Sequence, residues 1–157
     1  MSKYKIGTAG WFYKDWVNIF YPPEKENKKT DWLEFYSKYF NVVEVNSTYY
    51  SLPSIPIVNG WIKKVEKEED FSFILKLHQN FTHQRNFTEE NVNAFQSSIN
   101  LLQKENRLSG LLIQFPYSFQ FSDNALIYLS KLKEIFDSTN LFFELRHSSW
   151  LNKNAID

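Results

Sequence analysis

Apolar residues follow two alternating rhythms along the chain. Five short runs, 4–8, 42–46, 71–77, 110–115 and 141–145, are rich in β-branched and aromatic residues and predict strands. Four stretches between them carry helical spacing. Trp32, Leu33, Phe35, Tyr36 and Tyr39 predict a helix over 31–39, with Asp31 as cap and Glu34 three residues on. Ile57, Val58, Trp61, Ile62 and Val65 predict one over 57–65, with Ser54 ahead and Pro56 in its first turn. Val92, Phe95, Ile99 and Leu102 predict one over 89–104 behind a Thr88 cap. Leu126, Leu129 and Leu132 predict one over 123–136, capped by Ser122 or Asp123. Strand starts recur roughly every 30–40 residues, the length of a strand–helix–strand unit rather than of a hairpin. The prediction is one domain, 1–157, of the α/β class.

Alternation within the strands separates an open doubly wound sheet from a barrel. In a doubly wound sheet helices cover both faces, and both should be apolar. Here one parity turns polar toward the C-terminal ends: Glu44 and Asn46 follow Val42, Lys76 and His78 follow Ile74, Gln114 follows Leu112, and Glu144 and Arg146 follow Phe142. The other parity stays apolar, through Val43 and Val45, Phe73, Leu75 and Leu77, Leu111, Ile113 and Phe115, Phe143 and Leu145. Side chains alternate between faces with period two. The expected picture is a TIM-barrel-like (β/α)8 fold with only about the first five βα units present. Its inward face would be greasy below and polar on top, with helices outside.

Composition narrows the chemistry. Lys plus Arg equals Asp plus Glu at 18 each, and no basic stripe marks a phosphate-backbone surface, so nucleic acid is not an expected partner. Cysteine is absent, which removes thiolate chemistry and Cys-based metal sites. The first turn, Gly7-Thr8-Ala9-Gly10-Trp11-Phe12, matches neither dinucleotide nor P-loop fingerprints, and no cofactor is assigned. No apolar stretch is long enough for a membrane span or signal region, which gives a cytoplasmic expectation with no membrane partner.

Charges are rarely buried unless paired, and in barrels the C-terminal strand ends carry the site. Glu44 and Glu144 are the candidate acid or base groups. Lys76 is the candidate clamp for an anionic or carbonyl oxygen, and Arg146 can hold a carboxylate or phosphate. Asn46, Gln114, His83 and His147 stand near the same ends, and Trp11, Tyr13 and Tyr50 can stack on a ring. Trp32 and Trp61 lie in helical patterns and read as packing residues, and Trp16 and Trp150 read as plugs over the rim. No histidine pair has metal-ligand spacing, so no metal site is assigned.

Several segments together resemble the YecE-like family, a domain of unknown function with a TIM-barrel fold. They are Gly7-Thr8-Ala9-Gly10-Trp11, Val43-Glu44-Val45-Asn46-Ser47-Thr48-Tyr49-Tyr50, Thr82-His83, Leu112-Ile113-Gln114-Phe115-Pro116 and Phe143-Glu144-Leu145-Arg146-His147-Ser148-Ser149-Trp150. The resemblance implies the barrel and the importance of the polar strand ends, and adds Thr8 to the expected ligand contacts. It implies no reaction. Family members continue through further strands, so this chain is expected to be truncated after the fifth, with edges open to self-association. Three readings stay open: a protein that binds or acts on a small polar or phosphorylated sugar-like ligand, a remnant whose rim is a salt-bridge network, and a metal-dependent enzyme acting on nucleic acid.

Overall fold

A computed structural model of the chain describes residues 4–23 and 31–151. In chain order the elements are β1 (Gly7–Ala9), α1 (Trp32–Tyr36), β2 (Val42–Val45), α2 (Ser47–Tyr50), α3 (Ile55–Lys64), β3 (Ser72–Lys76), α4 (Gln79–Thr82), α5 (Glu89–Lys104), β4 (Leu108–Gln114), α6 (Asp123–Ile135) and β5 (Leu141–Glu144), with 3-10 turns at Lys14–Trp16 and Ser148–Leu151. Each strand pairs in parallel with the next, in the order β1-β2-β3-β4-β5.

Caps fix where the helices begin. The Asp31 carboxylate accepts from the N–H groups of Leu33 and Glu34 at 3.1 and 3.2 Å. Glu34 turns to Lys38 at 3.8 Å. At α5, Thr88 accepts from Asn91 N–H at 3.3 Å while the Asn91 amide oxygen accepts from Thr88 N–H at 3.1 Å, a capping box built with Asn. Ser122 caps α6 by accepting from Ala125 N–H.

From β2 to β4 the apolar parity lies under the helices; at β5 Phe143 is exposed and Leu145 only half-buried, contrary to expectation. Val43, Val45, Phe73, Leu75, Leu111, Ile113 and Phe115 are fully buried, in one core with Leu33, Tyr36, Val58, Phe95, Ile99, Leu102 and Leu132 from the helices. Trp32 and Trp61 belong to this layer, as expected: Trp32 stacks on Tyr21 at 4.9 Å, and Trp61 meets Phe73 at 5.9 Å. Trp16 packs among Tyr13, Phe20 and Tyr21, and Trp150 is buried against Phe119 and Phe121.

The first strand is shorter and later than 4–8, with Tyr4 and Ile6 exposed. Gly7 allows this placement, because a Cβ there would run into the Val42 carbonyl of the neighbouring strand. The inner face also differs from a floor that is greasy throughout. Its apolar belt is Val42, Ile74, Leu112 and Phe142, and beneath it Lys5 Nζ donates to Ser72 Oγ, which also contacts Ser109 Oγ, both at 2.6 Å. At the same end the buried Arg107 guanidinium donates to the carbonyls of Glu66, Glu68, Glu69 and Phe71, tying the turn before β3 to the start of β4.

Candidate functional site

Strand register determines how the polar ends meet. Ala9 is level with Glu44, Glu44 with Ile74, Lys76 with Leu112, and Gln114 with Glu144. Lys76 therefore stands one pleat above Glu44, and Gln114 and Glu144 one pleat above Lys76. This staircase is the stagger that tilted barrel strands require. It puts Glu44, Lys76, Gln114 and Glu144 on one face at one end, with Arg146 just beyond.

The two carboxylates occupy opposite environments. Burial raises the Glu44 pKa above the ordinary carboxylate range; the Lys76 ammonium pulls it down, the Glu144 charge adds to the rise, and the Asn46 amide opposes it. Glu144 also feels burial, but Gln114 Nε2 donates to its Oε2 at 2.6 Å and Arg146 Nε to its Oε1 at 2.7 Å. Those bonds, with the charges of Arg146 and Lys76, bring its pKa below the usual value. Glu44 thus takes up a proton more readily than an ordinary carboxyl group and Glu144 less readily, a divergence of the kind that separates acid and base roles in a site.

Two short helices escaped the sequence reading and shape the rim. In α2 the buried Thr48 hydroxyl lies within hydrogen-bond distance of the Val45 and Lys76 carbonyls, at 2.8 and 2.6 Å. It thereby joins the ends of β2 and β3 and places Tyr49 beside Lys76, whose Nζ is 5.2 Å from the ring centroid. The His83 ring meets Tyr49 edge-on at 5.1 Å. His83 follows α4, which His78 opens by accepting from Asn80 N–H at 3.2 Å. Burial and the charges of Lys76 and Arg146 hold the His83 pKa below its ordinary value. Tyr49 is the rim residue that the candidate set lacked; its ring contacts depend on a single helical turn, too short to show a period.

The remaining candidates fall into four places. Trp11, Tyr13 and Asn46, with Gly10, Phe12 and Ser47, line a separate cavity of about 220 Å³ above β1 and β2. Gly10 makes that turn with φ 89°, and Tyr13 closes it by donating its hydroxyl to the Ala9 carbonyl. Tyr50 is exposed beside Tyr49, and His147 sits apart, against Tyr117 at 4.8 Å and with Nδ1 2.8 Å from Ser149 Oγ. Thr8 is not brought to the rim. It is level with Val43 on the helix-facing side, where its N–H donates to the Tyr36 hydroxyl at 2.8 Å. The inward positions of β1 are Gly7 and Ala9, which offer no side-chain pattern from which its facing could be read. Among the described residues, no three His, Asp or Glu side chains gather as a metal set, and no helix is long and apolar enough to cross a membrane. A wider concavity of about 610 Å³ lies at the opposite strand ends, lined by Tyr4, Ile6, Tyr39, Asn41 and Asp70 among others. In barrels that end serves stability rather than chemistry.

The family profile described as "Protein of unknown function DUF72" matches residues 5–157, and the chain belongs to that family. It is 31% identical to the UPF0759 protein YunF of Bacillus subtilis over 153 residues, which are 94% of this chain and 52% of YunF. It is 32% identical to the UPF0759 protein YecE of Escherichia coli K12 over 79 residues, half of this chain and 25% of YecE. The crystal structure of a DUF72 family protein from Thermotoga maritima superposes with a TM-score of 0.77 at 33% identity, covering 96% of this chain and 58% of that one. A DUF72 family protein from Enterococcus faecalis V583 gives 0.70 at 28% identity, covering 80% and 51%. The chain spans about half the length of YunF and of these solved structures. Its parallel sheet with alternating helices is the first half of a (β/α)8, TIM-barrel-like fold.

Proposed function

We propose that the C-terminal rim binds a small polar, sugar-like ligand and exchanges a proton with it. Glu44 is the proton-transfer group, and Glu144 is the fixed carboxylate that orients the ligand. The observation that carries this reading is the pairing of two carboxylates on one face in opposite environments, Glu44 desolvated and Glu144 held ionised by Gln114 and Arg146. A self-satisfied structural network would give both carboxylates partners of equal quality. The Gln114–Glu144–Arg146 chain fits that second reading, but Glu44 does not.

The test is a titration of the protein with neutral monosaccharides and their phosphates, followed by side-chain carboxyl NMR and by product analysis. The expected result is saturable binding that shifts both Glu44 and Glu144. Glu44→Gln should keep binding and lose at least about a hundredfold of any turnover, the lower end of general acid–base contributions. Glu144→Gln should weaken binding. Carboxyl resonances that respond to no ligand would leave the network reading in its place.

A further inference from the structure

The positive half of the rim holds more cationic capacity than its carboxylates take up. Among the described residues, Lys76 Nζ has no ion pair or hydrogen bond; its neighbour is the face of Tyr49. Arg146 gives Nε to Glu144, and its two terminal nitrogens have no described partner. His83 has Nδ1 against the Thr82 hydroxyl at 3.0 Å, which leaves Nε2 for a ligand. The Tyr49 ring touches both Lys76 and His83, and the charges of Lys76 and Arg146 are both felt at His83.

We infer that Lys76, His83 and the outer nitrogens of Arg146 form a subsite for a tetrahedral oxyanion, with Tyr49 as its wall. The inference rests on the rim being a ligand site and names the ligand class as a small polar molecule bearing a phosphate-type group. An ammonium supplies a compact charge and a guanidinium a planar fork of donors, a usual pairing for phosphate oxygens. The imidazole adds a donor that strengthens once protonated. Burial first, and the charges of Lys76 and Arg146 after it, hold the His83 pKa down; an anion between these groups offsets the charge part, so binding favours proton uptake. By linkage, affinity then rises as pH falls. The other titratable groups facing the subsite are Tyr49 on α2, Glu44 on β2 and Glu144 on β5, and protonation of Glu44 would act in the same direction.

Sulfate separates these effects because its own charge is constant from about pH 5 to 8. The experiment titrates the protein with sulfate, inorganic phosphate and a hexose phosphate while following the His83 ring by NMR. His83 should titrate below 6.5 in the free protein and higher when sulfate is bound. Glu44→Gln should keep the part of the pH dependence that follows the His83 titration, whereas His83→Gln should leave only the part that Glu44 supplies. Lys76→Met and, independently, the exposed-site change Arg146→Gln should each weaken sulfate at least about tenfold. A hexose phosphate that binds more tightly than inorganic phosphate identifies an ester as the ligand, and equal affinities identify the free ion. Neutral sugars that move Glu44 and Glu144 while sulfate and phosphate leave His83 unmoved would overturn the oxyanion subsite alone. A rim that no ligand perturbs would overturn the site reading with it.

Discussion

The two faces of the sheet are made by alternate residues of the same strands, yet physical chemistry treats them differently. On the helix side Val43, Val45, Phe73, Leu75, Leu111, Ile113 and Phe115 are fully buried, a cover that ends at β5, where Phe143 is 38% exposed. On the inner side Ile74 and Leu112 are half-buried, Phe142 is 44% exposed, and the tops are Glu44, Lys76, Gln114 and Glu144. The helix face can carry most of the stability because it removes large apolar surfaces from water. Released from that task, the inner face can hold charges at partial burial, where their mutual fields are strong and their protonation states adjustable.

Mutations can break this division. Phe73→Ala should cost about 3–5 kcal/mol of unfolding free energy, the range for emptying a packed aromatic site. Phe142→Ala, on the other face, should cost well under half of that. Urea denaturation of the two variants decides it, and equal losses would mean that the faces share the load. Next comes the floor. Arg107→Ala removes the donor shared by the carbonyls of Glu66, Glu68, Glu69 and Phe71, and a loss of about 2–3 kcal/mol is expected, since charged hydrogen bonds and the buried Phe71 carbonyl are both involved. Thr88→Ala removes one side of the α5 capping box and should cost about 1 kcal/mol with no effect on ligand binding.

The division was legible where side chains report it. Long periodic stretches fixed α5 and α6 closely, and the alternation Val42-Val43-Glu44-Val45 marked both faces of β2 without ambiguity. Strand β1 was legible only as a segment, because Gly7 and Ala9 face inward and carry no pattern; the family resemblance put Thr8 among the ligand contacts, whereas it stands on the helix side. Helices α2 and α4 were not legible, since four residues make a single turn. With them went the placement of Tyr49 against Lys76 and His83, which depends on the Thr48 bonds to two strand ends rather than on any periodicity. The polar floor of Lys5, Ser72 and Ser109 was missed because Ser72 reads as one small residue in an apolar run.

The most delicate contrast lies within the inner face, between its two carboxylates, and there the sign matters more than the size. Glu44 has a raised pKa in the fold, so its ionised form is disfavoured there. Ionisation removes stability once pH exceeds the ordinary value of 4.5, and the loss is complete above the folded pKa. Glu44→Gln should therefore be more stable than the parent at neutral pH, with the gain shrinking as pH falls and gone below about 4.5. Glu144 has a lowered pKa, so its contribution is present above the ordinary value and lost as pH falls through the folded one. Glu144→Gln should be less stable at neutral pH and converge on the parent in acid, by a small amount because the Arg146 pair is exposed. Thermal melts of both variants from pH 3 to 8 test the pair. If both substitutions destabilise, Glu44 is a structural partner like Glu144. If the curves move in opposite directions, the fold keeps a carboxyl group at Glu44 against its own stability, as a residue retained for proton transfer would require.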